Sequence, residues 1–169
     1  MKTIYLIRHG ESEYNILSDS EKSRVNVATD KESLRIKLDP NLTQRGKKQA
    51  EDTYDRLKDV VFDALFCSPL VRAKQTLNIA LRGRKLPVKF LDELKEVDLS
   101  SNPTLDEIKD QAKKVLQALK DCKGETIAVV AHACRIDTIE KYLRGELKSI
   151  NDVTYNTSLK NADFHIIKL

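Results

Sequence analysis

Short apolar runs alternate along the chain with stretches in which apolar residues return every three or four positions. Thr3-Ile4-Tyr5-Leu6-Ile7, bounded by Gly10, reads as a buried strand, and so does Thr126-Ile127-Ala128-Val129-Val130-Ala131. Residues 62–66, 88–91 and 158–167 predict three further strands. Helical spacing appears at Ala50, Tyr54 and Leu57 behind Thr43, and at Ile136, Ile139 and Leu143. Leu70, Ala73, Leu77 and Ala80 form another stripe, with Ser68 read as the N-cap and Pro69 as the first helical residue. Thr104-Leu105-Asp106-Glu107 is a capping box that opens a helix with Leu105, Ile108, Ala112, Val115, Leu116 and Leu119 on one side. Ser12 predicts the cap of a short helix reaching about residue 18. Residues 18–41 are polar and irregular and predict a long loop with one helical turn near 31–36, a length typical of functional rims.

Strands alternating with helices imply right-handed crossovers and a mostly parallel central sheet. No internal repeat, low-complexity segment or Gly/Ser-rich linker divides the 169 residues, so 1–169 reads as one domain. The 40% hydrophobic and 33% charged content fits a water-soluble globular chain. A net charge of +4 spread over scattered Lys and Arg argues against a nucleic-acid partner and fits a phosphorylated small substrate. No stretch approaches membrane-spanning length, so no membrane partner is expected. Cys67, Cys122 and Cys134 form no ligand spacing. An odd number of thiols and the absence of a secretory segment point to a reducing, cytoplasmic location.

The chain has three histidines, and two of them end the apolar runs: His9 after the first and His132 after the run 126–131. Ligands of open α/β sheets gather beyond the carboxyl ends of strands. His165, inside an alternating terminal strand, reads as structural. Four segments converge on that sheet edge: Arg8-His9 with Asn15 a turn later, Arg72 in the first turn of a helix, Glu96 after strand 88–91, and His132. Two arginines, two histidines and helix N-termini suit a phosphate dianion. A neutral histidine there can attack phosphorus and divide a hard hydrolysis into two easier steps. Arginines and the second histidine meet charge on the equatorial oxygens. A carboxyl group must protonate the departing alkoxide and then deprotonate the attacking water, and Glu96 is the candidate.

Arg8-His9-Gly10-Glu11-Ser12-Glu13-Tyr14-Asn15 resembles the signature of the histidine phosphatase superfamily, in its phosphoglycerate mutase-like branch. Residues 42–50, the Ser68-Pro69-Leu70-Val71-Arg72-Ala73 stretch, the segment around Glu96 and Val129-Val130-Ala131-His132 resemble its later motifs, in order. The resemblance implies a three-layer α/β/α sandwich with a mostly parallel sheet and a transient phosphohistidine at His9. It also implies a phosphate pocket of Arg8, Asn15, Arg72 and His132, and Glu96 as proton donor with Glu93 as the fallback. No metal and no other cofactor is implied, because arginines and histidines supply the positive charge. Where the family usually carries glycine, this chain has Ala133 after the second histidine and Ser100 after the acid segment, and it lacks tryptophan.

Cys67 and Arg72 are one residue too close for a cysteine-phosphatase loop, so Cys67 reads as a core thiol. The balance favours phosphomonoester hydrolysis over mutase-type phosphotransfer, since only one helix separates Glu96 from His132 and little chain is left to close a lid. A non-catalytic phosphate or phosphopeptide binder is the rival of another class. A phosphoprotein substrate stays open, and the sequence does not speak to oligomeric state.

Overall fold

The computed structural model describes residues 1–169. Its elements are β1 (Thr3–Arg8), α1 (Asp19–Val27), α2 (Lys31–Leu38), α3 (Gln44–Leu57), β2 (Ala64–Cys67), α4 (Val71–Ala80), β3 (Val88–Phe90), α5 (Leu105–Asp121), β4 (Thr126–Ala131), α6 (Ala133–Arg144) and β5 (Phe164–Lys168). The five strands lie in the order β3-β2-β4-β1-β5. The four inner and left-hand neighbours run parallel, and β5 pairs with β1 antiparallel.

Side-chain alternation explains the layers. Ile4 and Leu6 of β1 point to one face, where they join Ile127 and Val129 of β4 under Ala112, Val115 and Leu119 of α5 and Ile136 and Ile139 of α6. Ile7 points to the other face with Leu65, Cys67, Ala128 and Val130, beneath Ala50 and Leu57 of α3 and Ala73, Leu77 and Ala80 of α4. Burial of each stripe is what holds helix to sheet, at roughly 25 cal/mol per Å² of apolar surface. None of the helices is long and apolar enough to cross a membrane.

Register places the chemistry. Arg8 lies level with Ala131, and Cys67 lies level with Val130. The residues that follow those strand ends, His9, Ser68 and His132, therefore emerge side by side at one sheet edge. β4 sits between β1 and β2, so this edge gathers residues nearly 125 positions apart from three adjacent strands.

Several local expectations are corrected. Ser12 starts no helix. It forms an isolated bridge with Leu42, and a tight turn follows. Residues 18–41 are a helical hairpin, α1 and α2, in which Ser18 and Glu21 make a reciprocal capping box and Asp30 caps the second helix. Neither helix buries a residue, so there was no apolar stripe to reveal them. α4 begins at Val71 with Leu70 as its cap residue, two residues later than Ser68-Pro69 suggested. Strand β2 starts at Ala64, and β5 covers Phe164–Lys168 only. Thr53 takes the buried place assigned to Tyr54, and Leu143 faces outward. The capping box of α5 forms as read.

Candidate active site

His9 is anchored before it does anything. Its amide donates to Ala131 O at 3.0 Å, and its carbonyl accepts from the Ala162 amide at 3.0 Å. The next residue explains the glycine: a Cβ on Gly10 would lie 2.4 Å from Gly46 O, and a Cβ on Gly46 would lie 2.0 Å from Glu11 O. These two glycines let the loop after β1 and the start of α3 touch backbone to backbone. The Gly10 amide donates to Thr76 Oγ1 of α4 at 2.9 Å, which ties a third segment to the same loop.

The ring of His9 is buried, and its Nδ1 lies 2.6 Å from Gly10 O. A carbonyl only accepts, so Nδ1 carries the proton and Nε2 keeps its lone pair. Burial, then the charge of Arg72, push the basicity of this imidazole down to about 3, so it is neutral at ordinary pH.

His132 lies beside it, ring centroids 5.1 Å apart and tilted by 60°. Its Nε2 is 2.8 Å from Ser68 Oγ, and its Nδ1 is buried with no partner. Ser68 Oγ accepts from the Leu70 amide at 3.4 Å and is free to donate its own hydrogen to Nε2. Burial and the nearby Arg72 hold His132 well below its usual basicity as well.

Both arginines join this pair. Arg8 and Arg72 each act electrostatically on His9 and on His132. Arg8 donates Nη1 to Leu159 O at 2.7 Å and leaves a buried Nε unpaired. Arg72 also buries an unpaired Nη1, with Asp39 Oδ1 at 3.8 Å. Buried polar groups are nearly always satisfied, so unpaired Arg8 Nε, Arg72 Nη1 and His132 Nδ1 in one cluster suit an anionic ligand. Asn15 sits on the exposed turn after β1. Its Oδ1 accepts from the Ser12 amide at 2.9 Å, and its side-chain Nδ2 makes no bond within the chain.

Glu96 comes from an irregular segment after β3, yet its carboxylate is fixed. Oε1 accepts from the Val97 and Arg135 amides at 3.0 Å each, and Oε2 accepts from the Cys134 amide at 3.4 Å. Burial pushes its acidity weaker than a free carboxyl, against those amides and the charge of Arg72. Its charge is felt by Arg8 and Arg72 in turn. Glu93, the fallback, sits in the short 3₁₀ turn at Asp92–Leu94 and makes none of these bonds.

The helix N-termini serve the site differently from the sequence reading. The Cys134 and Arg135 amides of α6 are taken by Glu96, and the Val71 amide of α4 is taken by Asp39 Oδ1 at 2.7 Å. These three amides hold carboxylates of the chain itself, Glu96 and Asp39. Ser68, Asp39 and Arg135 were all missed as parts of the site. Arg135 carried the one usable signal, a charged residue inside the apolar face of a helix that follows a strand-end histidine. Cys67 is buried, and burial pushes its thiol up to about 12, which makes it inert core. His165 pairs with Glu140 at 3.0 Å on β5, far along the chain from the cluster.

Known proteins similar to this chain include phosphatases and phosphoglycerate mutases. The family model described as histidine phosphatase superfamily (branch 1) matches residues 4–114. The uncharacterized phosphatase PhoE of Bacillus subtilis is 28% identical across 97% of this chain and 89% of its own length. The 2,3-bisphosphoglycerate-dependent phosphoglycerate mutase 1 of Arabidopsis thaliana is 30% identical over 68% of this chain, which spans only 31% of that protein. Among solved structures, Bacillus stearothermophilus YhfR shares the fold with a TM-score of 0.77 at 19% identity, covering 100% of this chain and 92% of that one.

Proposed function

The chain belongs to the histidine phosphatase superfamily (branch 1), and on that premise we propose that it is a metal-independent phosphatase of phosphomonoesters acting through a phosphohistidine at His9. The observation that carries this reading is the neutral His9, with Nε2 unprotonated, among the unpaired buried donors Arg8 Nε, Arg72 Nη1 and His132 Nδ1.

In the first step the Nε2 lone pair attacks phosphorus, the P–O ester bond breaks, and Glu96 gives its proton to the departing oxygen. The arginines, the His132 Nδ1 hydrogen and the Asn15 amide receive the charge on the three equatorial oxygens. In the second step water attacks the phosphohistidine, Glu96 takes the water's proton, and inorganic phosphate leaves with His9 neutral again. The substrate is a phosphorylated small molecule, handled in the cytoplasm without nucleic acid or membrane. Hydrolysis is favoured over mutase chemistry because the segment between Glu96 and His132 holds one helix, α5, and one strand.

The test is steady release of phosphate from 4-nitrophenyl phosphate at mildly acidic pH, with capture of a phosphoenzyme by acid-free quenching. Both are expected in the wild type, and both are absent from His9→Ala. Phosphate binding with neither signal would make the protein a binder. Formation of 2-phosphoglycerate from 3-phosphoglycerate primed with 2,3-bisphosphoglycerate would make it a mutase. A panel of phosphorylated metabolites and phosphopeptides then ranks substrates.

A further inference from the structure

Glu96 stands in a stretch with no helix or strand of its own, between 3₁₀ turns at Asp92–Leu94 and Leu99–Ser101. Something outside that stretch must hold it. Arg135 touches it twice. The Arg135 amide donates to Glu96 Oε1 at 3.0 Å, and its Nε donates to Lys95 O at 2.9 Å, the carbonyl immediately before Glu96. The far end of the guanidinium is held in turn, Nη2 donating to Gln111 Oε1 on α5. Arg135 is 2% exposed and lies one turn after His132 on α6.

We infer that Arg135 is a positioning residue for the proton-transfer step: it fixes the Glu96 carboxylate and its backbone to the helix that begins at His132. This rests on the reading of Glu96 as the proton donor. Burying a guanidinium is costly, and a neutral amide would be a cheaper stitch between a loop and a helix. An arginine instead places a forked donor on both Lys95 O and Gln111, with its charge behind the acid. Geometry of this kind matters because a shift of about 1 Å in a reacting group costs on the order of 10²-fold.

The experiment compares alkyl phosphates, whose leaving oxygen needs a proton, with 4-nitrophenyl phosphate, whose leaving group does not. The variants are Arg135→Lys, Gln111→Leu, Glu96→Gln and the double variant Arg135→Lys/Glu96→Gln, each checked by thermal melting. Arg135→Lys keeps the amide and the charge but loses the fork. Its kcat on alkyl phosphates is expected to fall roughly 10-fold further than its kcat on the aryl ester, a fraction of the full general-acid contribution. KM and inhibition by inorganic phosphate should hold. Gln111→Leu, which leaves Arg135 in place, should show the same selectivity more weakly. In the double variant the loss should not exceed that of Glu96→Gln alone. An equal loss on both substrate classes in Arg135→Lys, with a selective loss in Glu96→Gln, overturns the positioning role and spares the proposed function. An unselective loss in Glu96→Gln overturns the acid assignment and this inference with it.

Discussion

The imidazole centroids of His9 and His132 lie 5.1 Å apart, with Nδ1 of the first on Gly10 O and Nε2 of the second on Ser68 Oγ. In the proposed reaction the first ring keeps a lone pair and the second donates its Nδ1 hydrogen. Ser68 Oγ is the one partner of the His132 ring, so Ser68→Ala should shift the tautomer of that ring. Expected is a drop of about 10- to 100-fold in kcat/KM, as for weakening one preorganised donor. The ¹⁵N shifts of His132 should change while those of His9 stay. A fall in activity with unchanged His132 shifts would assign Ser68 to packing alone.

In the proposed reaction Arg72 holds an equatorial oxygen, and its charge also lowers the basicity of His9. Arg72→Ala should lower kcat by about 10²–10³, as for loss of one oxyanion donor. It should also raise the basicity of His9 above its present value of about 3, because Arg72 is the largest depressing influence after burial. A titration of the His9 ring protons by NMR reads the second effect independently of turnover. No upward movement would mean that burial alone sets the value.

The fold was legible in the sequence wherever burial imposed a period. β1 and β4 stood out as continuous apolar runs because both of their faces are covered, and α5 and the buried stripes of α4 and α6 because one face of each meets the sheet. Of the hairpin α1–α2 only the turn at 31–36, inside α2, was legible, because both helices lie on the surface and are held by caps and by ion pairs such as Arg35–Glu13 at 2.7 Å. The charged cluster was legible because strand-end positions in parallel register converge. Asp39 was not, because its carboxylate meets the backbone amide of Val71 and such a bond leaves no mark on spacing; Arg135 left only the sign of a charge inside an apolar helix face. Asp39 also gives the hairpin a link to the site, since it ends α2 and meets both the Val71 amide and Arg72.

Close backbone contact between the loop after β1 and the start of α3 makes Gly46 intolerant of any side chain. A Cβ there would sit 2.0 Å from Glu11 O, which is backbone and cannot swing away. Gly46→Ala should cost on the order of 3 kcal/mol through overpacking, despite the better helix propensity of alanine. It should also displace the His9 loop and lower turnover beyond the loss of folded protein. Chemical denaturation together with activity per folded molecule checks both. A variant as stable and as active as wild type would show that the two segments separate freely.

Burial of two neutral histidines makes stability depend on pH in a defined direction. Burial and Arg72 hold His9 at about 3 against 6.5 in a free chain, and His132 is lowered in the same sense. Below 6.5 the unfolded chain gains protons that the folded one refuses. The stabilising contribution is therefore complete above 6.5 and is lost as pH falls toward 3. Glu96 works the other way: its raised value makes the folded state take up a proton first, so its contribution is complete below 4.5 and is lost as pH rises past that. From pH 7 to pH 5, His9 alone should remove about 2 kcal/mol of unfolding free energy. The same interval in His9→Leu should show a loss smaller by about that amount, because every other titrating group is common to both proteins. Parallel stability curves for the two proteins over that interval would mean that His9 takes up its proton as readily inside the fold as outside it.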